Sequence, residues 1–181
     1  MAGYRTEGVI LKRTNFGEAD KFLTLFSKHF GKIRLLAKGI RKTKSRKGGN
    51  LELFNWVKIY VAKGRNLDII TEVELIKPFK SWRQDLSRVA LAYHLVELVE
   101  RLTAEEAKSR QVFELLIESL ERLGEEKDLE RLRTDFEVHL LEELGFWPRD
   151  KAADAVDLQA YIEKLIEKRL NSKRVFKELN G

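Results

Sequence analysis

The sequence predicts a two-part α+β chain: a five-stranded OB-fold β-barrel over residues 1–78, then an all-α helical bundle over residues 79–181. Two observations carry this reading. The hydrophobic period changes from two to about 3.6 near Pro78. Net charge changes sign at the same place. Residues 1–80 hold 18 basic and 7 acidic side chains, and the other 101 hold 17 and 22, which together give the chain its net +6. This asymmetry is what a module for polyanions joined to a module for proteins would show.

Before Pro78, runs of β-branched and aromatic residues are bounded by Gly and Asn turn signals. They predict strands over Thr6–Arg13, Lys21–Ser27, Lys32–Lys38, Leu53–Ala62 and Leu67–Ile76, with turns at Asn15–Ala19, His29–Gly31 and Lys63–Asn66. Five short strands suit a small closed barrel of the oligonucleotide-binding type, with an SH3-like barrel as the alternative. After Pro78 the apolar residues recur at helical spacing. Leu86, Val89, Tyr93, Val96 and Leu102 predict one face of a long first helix. Val112, Leu116, Leu120 and Leu123 mark a second, ended by Gly124; Leu129, Leu132, Phe136, Leu140 and Leu144 mark a third, ended by Gly145. Leu158, Ile162, Leu165 and Ile166 mark a fourth, followed by a short turn around Lys173–Leu179.

Between predicted strands three and four, six of the ten residues from Lys38 to Lys47 are basic, and none is acidic. Lys38, Arg41, Lys42, Lys44, Arg46 and Lys47, with Gly39, Gly48 and Gly49 among them, form the pattern of a loop that neutralises phosphates. Lys32 and Arg34 alternate with Ile33 and Leu35 and so aim further charge at one surface. Arg65, at the tip of the hairpin between strands four and five, lies in a loop that lines the cleft of such barrels. On the fourth strand Phe54, Trp56, Lys58 and Tyr60 share a face, a pattern that serves either base stacking or packing against the helical part. Packing is the preferred reading, since an outer barrel face beside a helical domain needs covering.

Catalytic and cofactor chemistry finds no matching pattern. The 181 residues include no cysteine, which excludes disulfides and thiolate metal sites and points to a reducing cytoplasm. No HExxH or HxxxH spacing links His29, His94 and His139, which read as satisfied core or surface histidines. Gly48-Gly49 lacks the GxxxxGK[ST] context of a nucleotide loop, and the acidic pairs fall on helix surfaces. No cofactor and no metal are therefore expected. Neither a signal-peptide core nor an apolar run of membrane-spanning length is present.

Several motifs in order resemble the RecO family of bacterial recombination mediators. They are Thr6-Glu7-Gly8-Val9-Ile10-Leu11-Lys12-Arg13 followed by Gly17-Glu18-Ala19-Asp20, then Ala37-Lys38-Gly39-Ile40-Arg41 and Gly49-Asn50-Leu51-Glu52-Leu53-Phe54, where the family usually has Pro at Leu53. In the second half Phe136-Glu137-Val138-His139-Leu140-Leu141 with Leu144-Gly145-Phe146 and Pro148, and Ser172-Lys173-Arg174-Val175-Phe176, are similar to further family signatures. Two features depart from the pattern. Many members carry a four-cysteine zinc-binding insertion after the Leu-Gly-aromatic-x-Pro element, whereas here only Arg149 to Val156 separate Pro148 from the next helix. Asp135 stands where an arginine is common, leaving Arg131 and Arg133 as the expected partner-binding substitutes.

The resemblance implies a non-enzymatic DNA repair and recombination protein of the cytoplasm, associated with the nucleoid. It implies binding to single- and double-stranded DNA, annealing of complementary strands, and work with RecR to load RecA onto strands coated by single-stranded-DNA-binding protein. The residues alone leave two other readings open. One is an adaptor whose basic surface docks a partner's acidic tail, and the other is an RNA-binding accessory protein of the same barrel type.

Overall fold

A computed structural model describes residues 2–152 and 158–168. Five strands, β1 (Gly3–Phe16), β2 (Asp20–Ser27), β3 (Gly31–Ala37), β4 (Trp56–Ala62) and β5 (Ile69–Lys77), close into a barrel in the order β1-β2-β3-β5-β4. All neighbours are antiparallel except β3 and β5, which meet in parallel at Leu36 and Ile69. β1 outruns its predicted span because it serves two partners: its first half pairs with β4 and its second half with β2. An irregularity between Ile10 and Lys12 inserts Leu11 as an extra residue. Residues paired across antiparallel strands share a face. Ile10, opposite Leu25, therefore points into the barrel, whereas Lys12, opposite Thr24, points out.

Three helices follow: α1 (Leu86–Leu102), α2 (Arg110–Arg122) and α3 (Leu129–Glu143), with residues 158–168 also helical. Asp85, Ser109 and Asp128 cap the three N-termini by accepting bonds from backbone N–H groups that have no partner within the helix. Gly145, with φ 76°, ends α3 as its sequence position predicts. The predicted stripe of α1 is corrected. Leu86 is 86% exposed and Tyr93 54%, while the buried residues are Leu91, Ala92, Leu95, Val96, Leu98, Val99 and Leu102. α1 touches β1, β2, α2 and α3, so it is apolar on more than one side, and a single 3–4 spacing picks out the wrong edge. Leu158 and Ile162 are buried as their stripe predicts, whereas the turn at Lys173–Leu179 and the Ser172–Phe176 motif lie outside the described residues.

The barrel core is built from residues such as Ile10, Leu23, Leu25, Leu35, Val57 and Ile59. A second cluster joins Val9, Leu11, Phe26 and Phe54 to the helices. The junction also corrects the predicted fourth strand, which begins at Trp56 rather than Leu53. Phe54 sits in a turn at φ 72°, its ring edge-on to Trp82 and Tyr93 at centroid distances of 5.5 and 5.0 Å. Trp56 meets Phe113 of α2 at 6.2 Å. Both rings pack against the helical part, Phe54 buried and Trp56 half-buried.

Candidate nucleic-acid interface

Residues 38–55 contain neither helix nor strand, and the segment is held as a chain of turns with two apolar anchors. Ile40 (5% exposed) and Leu51 (fully buried) belong to the barrel core and close its end, where a helix often sits in barrels of this type. Polar bonds fix the same segment. The Gly39 amide donates to Asp20 Oδ1 at 2.7 Å, the Arg41 amide to the Ala19 carbonyl at 2.9 Å, and Asn55 Nδ2 to the Asn50 carbonyl at 2.9 Å. With its ends pinned in this way, the backbone between them can only bulge outward.

The predicted basic residues then separate into groups. Lys38, Lys42, Lys44 and Arg46 are exposed and form no ion pair among the described residues. Arg41 is exposed too, but its guanidinium donates to the Gly17 carbonyl at 3.1 Å, and the half-buried Lys47 reaches the Ile70 carbonyl at 3.4 Å. Arg65 is exposed at the β4–β5 hairpin, whose return meets the end of β3 where the loop begins, the Leu36 amide donating to the Asp68 carbonyl at 2.9 Å. Arg34 is exposed on β3. Lys32 is corrected: it is 3% exposed, and its ammonium donates to the carbonyl oxygens of Glu100 and Thr103 at the end of α1. Strand alternation alone put it outside, but the outer face at that point is covered by the helix.

Residues that sequence reasoning passed over complete the surface. Arg13 on β1 and Lys21 on β2 lie beside Arg41 and Glu52, and Arg13 is paired to Glu52 at 2.5 Å. Burial, then the nearby Arg13 and Arg41, push the Lys21 ammonium below its ordinary pKa. Glu52, paired to Arg13, is the anion that opposes this shift. The outer positions of the β1–β2 hairpin carry Lys12, Phe16 and Phe22, with the Phe16 and Phe22 ring centroids 4.4 Å apart. Without the Leu11 bulge, strict alternation would have turned Lys12 inward, and Phe16 fell in the predicted turn at Asn15–Ala19 because the predicted strand stopped at Arg13. Tyr60, predicted beside Phe54 and Trp56, instead meets Arg5, whose Cζ lies 5.7 Å from its ring.

The helical part shows a different balance. Arg133 is engaged by Glu137 at 3.0 Å and Glu130 at 3.8 Å, so its charge is already neutralised, whereas Arg131 is exposed. Glu137 is 3% exposed and also bonds His94 Nε2 at 2.6 Å. Among the described residues no cluster of three or more His, Asp or Glu side chains is placed to hold a metal ion, and no helix is long and apolar enough to cross a membrane.

The model of the recombination protein O N-terminal domain matches residues 1–79, and that of its C-terminal domain matches residues 83–150. The chain belongs to the RecO family. It is 38% identical over 146 residues to the DNA repair protein RecO of Roseiflexus sp. (strain RS-1), covering 81% of this chain and 51% of that protein. Identity is 36% over 145 residues to the DNA repair protein RecO of Dehalococcoides mccartyi (strain ATCC BAA-2266 / KCTC 15142 / 195), and 36% over 149 residues to that of Symbiobacterium thermophilum (strain DSM 24528 / JCM 14929 / IAM 14863 / T). These matches cover 80% and 82% of this chain and 57% and 59% of those proteins. The chain thus spans about half to three-fifths of the length of the curated relatives it matches. In this RecO-family chain the signature segments hold one another: Asp20 of the first bonds Gly39 of the second, and the Phe54 amide of the third bonds the Ile10 carbonyl.

Proposed function

We propose that this chain is a non-enzymatic DNA-binding protein of repair and recombination, which engages single- and double-stranded DNA through its barrel and promotes annealing of complementary strands. The observation that carries the reading is the group of four exposed cations, Lys38, Lys42, Lys44 and Arg46, on a loop pinned at Ile40 and Leu51 and without acidic partners among the described residues. Phosphates approaching such a surface release condensed counterions, and that release supplies affinity without reading sequence. The same surface screens the repulsion between two strands, which is the physical requirement of annealing. No covalent step is involved.

The names of the relatives, DNA repair protein RecO, support placing this activity in repair. Joint action with RecR to load RecA, and docking of the acidic tail of single-stranded-DNA-binding protein, belong to the same proposal. Arg131, exposed on α3, is its candidate partner contact. The test is the affinity of the Lys42→Ala/Lys44→Ala/Arg46→Ala variant for an oligonucleotide across a salt series. Each lost phosphate contact should flatten the slope of log K against log[salt] by about 0.7 to 0.9. An unchanged slope refutes the role of the loop.

A further inference from the structure

We propose that the free edge of β5 is a docking site for an extended basic segment of a partner protein, which adds a further strand to the sheet there. β5 meets β3 only where Ile69 lies beside Leu36, and from Thr71 onward it pairs with β4 alone. The β3 side of the same opening is capped, because the segment between α1 and α2 bridges Lys32 at Glu105 and the Glu106 amide donates to the Lys32 carbonyl at 3.0 Å. Among the described residues β5 has no such cap. Its edge runs from Thr71 to Ile76, roughly 20 Å of strand, and ends at Lys77, which is tied to Glu121 of α2 at 2.7 Å. Alternate residues of such an edge turn their amide and carbonyl groups outward, ready to pair with another strand.

Burial shows the same opening from inside. Val57 and Ile59 on β4 are fully buried, whereas Leu75 and Val73, paired opposite them on the same face, are only half-buried. Ile70, next to the single contact with β3, is 1% exposed. The barrel core is therefore open where β5 has no neighbour, and the apolar side chains of an added strand would cover Val73 and Leu75. Charge selects the occupant. Glu72 and Glu74 oppose Tyr60 and Lys58 on the outer face, and Glu105 and Glu106 stand exposed on the segment that caps β3. Among the described residues only Glu74 of these four forms an ion pair, with Lys58 at 3.3 Å. This acidic rim, set in the basic half of the chain, repels phosphate and favours lysine or arginine. A strand that alternates basic with β-branched residues suits both faces, its apolar side chains continuing the core and its cations meeting the glutamates.

The experiment titrates the chain with a short capped peptide of alternating lysine and valine, and reads affinity together with amide hydrogen exchange along β5. Two control peptides carry N-methyl groups on every amide, or glutamate in place of lysine. The lysine peptide is expected to slow exchange within Thr71–Ile76 by about 5-fold or more at saturation. N-methylation should weaken binding by about 10-fold or more, because it removes the donors that pair with the edge. Glu72→Lys, a change at an exposed position, should weaken binding of the lysine peptide by about 3-fold or more. A peptide that leaves exchange in β5 unchanged, or an N-methylated form that binds within about two-fold of the parent, overturns the proposal. So does protection of these amides that grows with protein concentration in the absence of peptide, since a second copy of the chain would then occupy the edge. The peptide comparisons use the wild-type chain, so a misfolded variant does not prevent the decision. With no nucleic acid in the assay, the result does not depend on the DNA-binding reading.

Discussion

Lys32 donates its ammonium to the Thr103 carbonyl oxygen at 2.7 Å, from a position 3% exposed between the barrel and the end of α1. The last carbonyls of a helix lack intrahelical donors and carry the negative end of its dipole, so a cation satisfies both needs at once. The Glu100 carbonyl, at 2.6 Å, shares the same donor. Lys32→Met keeps the length of the stem and strands both acceptors. We expect it to cost about 2 to 4 kcal/mol of stability in chemical denaturation. Since the side chain does not reach the surface, the salt slope of DNA binding of the folded variant should equal that of wild type.

Gly31 sits next to this contact at φ 67°, and a β-carbon there would lie 2.3 Å from the Ala107 carbonyl oxygen. Both the left-handed backbone and the close approach demand glycine. Gly31→Ala should lower stability by about 2 kcal/mol or more. Amide hydrogen exchange should also quicken at Glu106, whose N–H donates to the Lys32 carbonyl at 3.0 Å, because the strand and the linker must part to admit a methyl group.

Glu137 supplies a pH dependence. Its burial pushes the carboxyl up, but bonds from His94 and Arg133 outweigh that, and the net shift is below the ordinary glutamate value of 4.5. A carboxylate favoured in the folded state adds stability above the unfolded-state value, and that stability fades as pH falls through the lowered folded value. Unfolding free energy should therefore drop as pH is taken downward from about 4.5. Glu137→Gln should be less stable than wild type at pH 7, by about 1 to 3 kcal/mol, and should lose less on acidification. Parallel denaturation curves at pH 7 and pH 4 measure the difference.

Much of this architecture is legible in local pattern. Alternation in Trp56–Ala62 and the 3–4 spacing of Val112, Leu116 and Leu120 are periodic because one face of each is the more buried. The pattern failed where burial is not one-sided. α1 is enclosed by the barrel and two helices, so its exposed Leu86 and Tyr93 look like core. A single inserted residue, Leu11, reversed the alternation of β1 and turned Lys12 outward, and the strand runs on to Phe16 through what local signals mark as a turn. Phe54 and Trp56 could serve stacking or packing by pattern, with packing preferred, and both rings do meet the helical part.

By itself the sequence determined the two classes of element, the family, and the concentration of positive charge between Lys38 and Lys47, because period and charge are properties of neighbouring residues. The tertiary structure decided which of the cations face solvent. Lys32 and Lys42 are the same residue type ten positions apart, yet one lies against the carbonyls of a helix 68 and 71 residues further along the chain and the other stands in water. That difference rests on contacts between distant segments. No local pattern records them, because the cost of burying a charge is met by groups that only folding brings near.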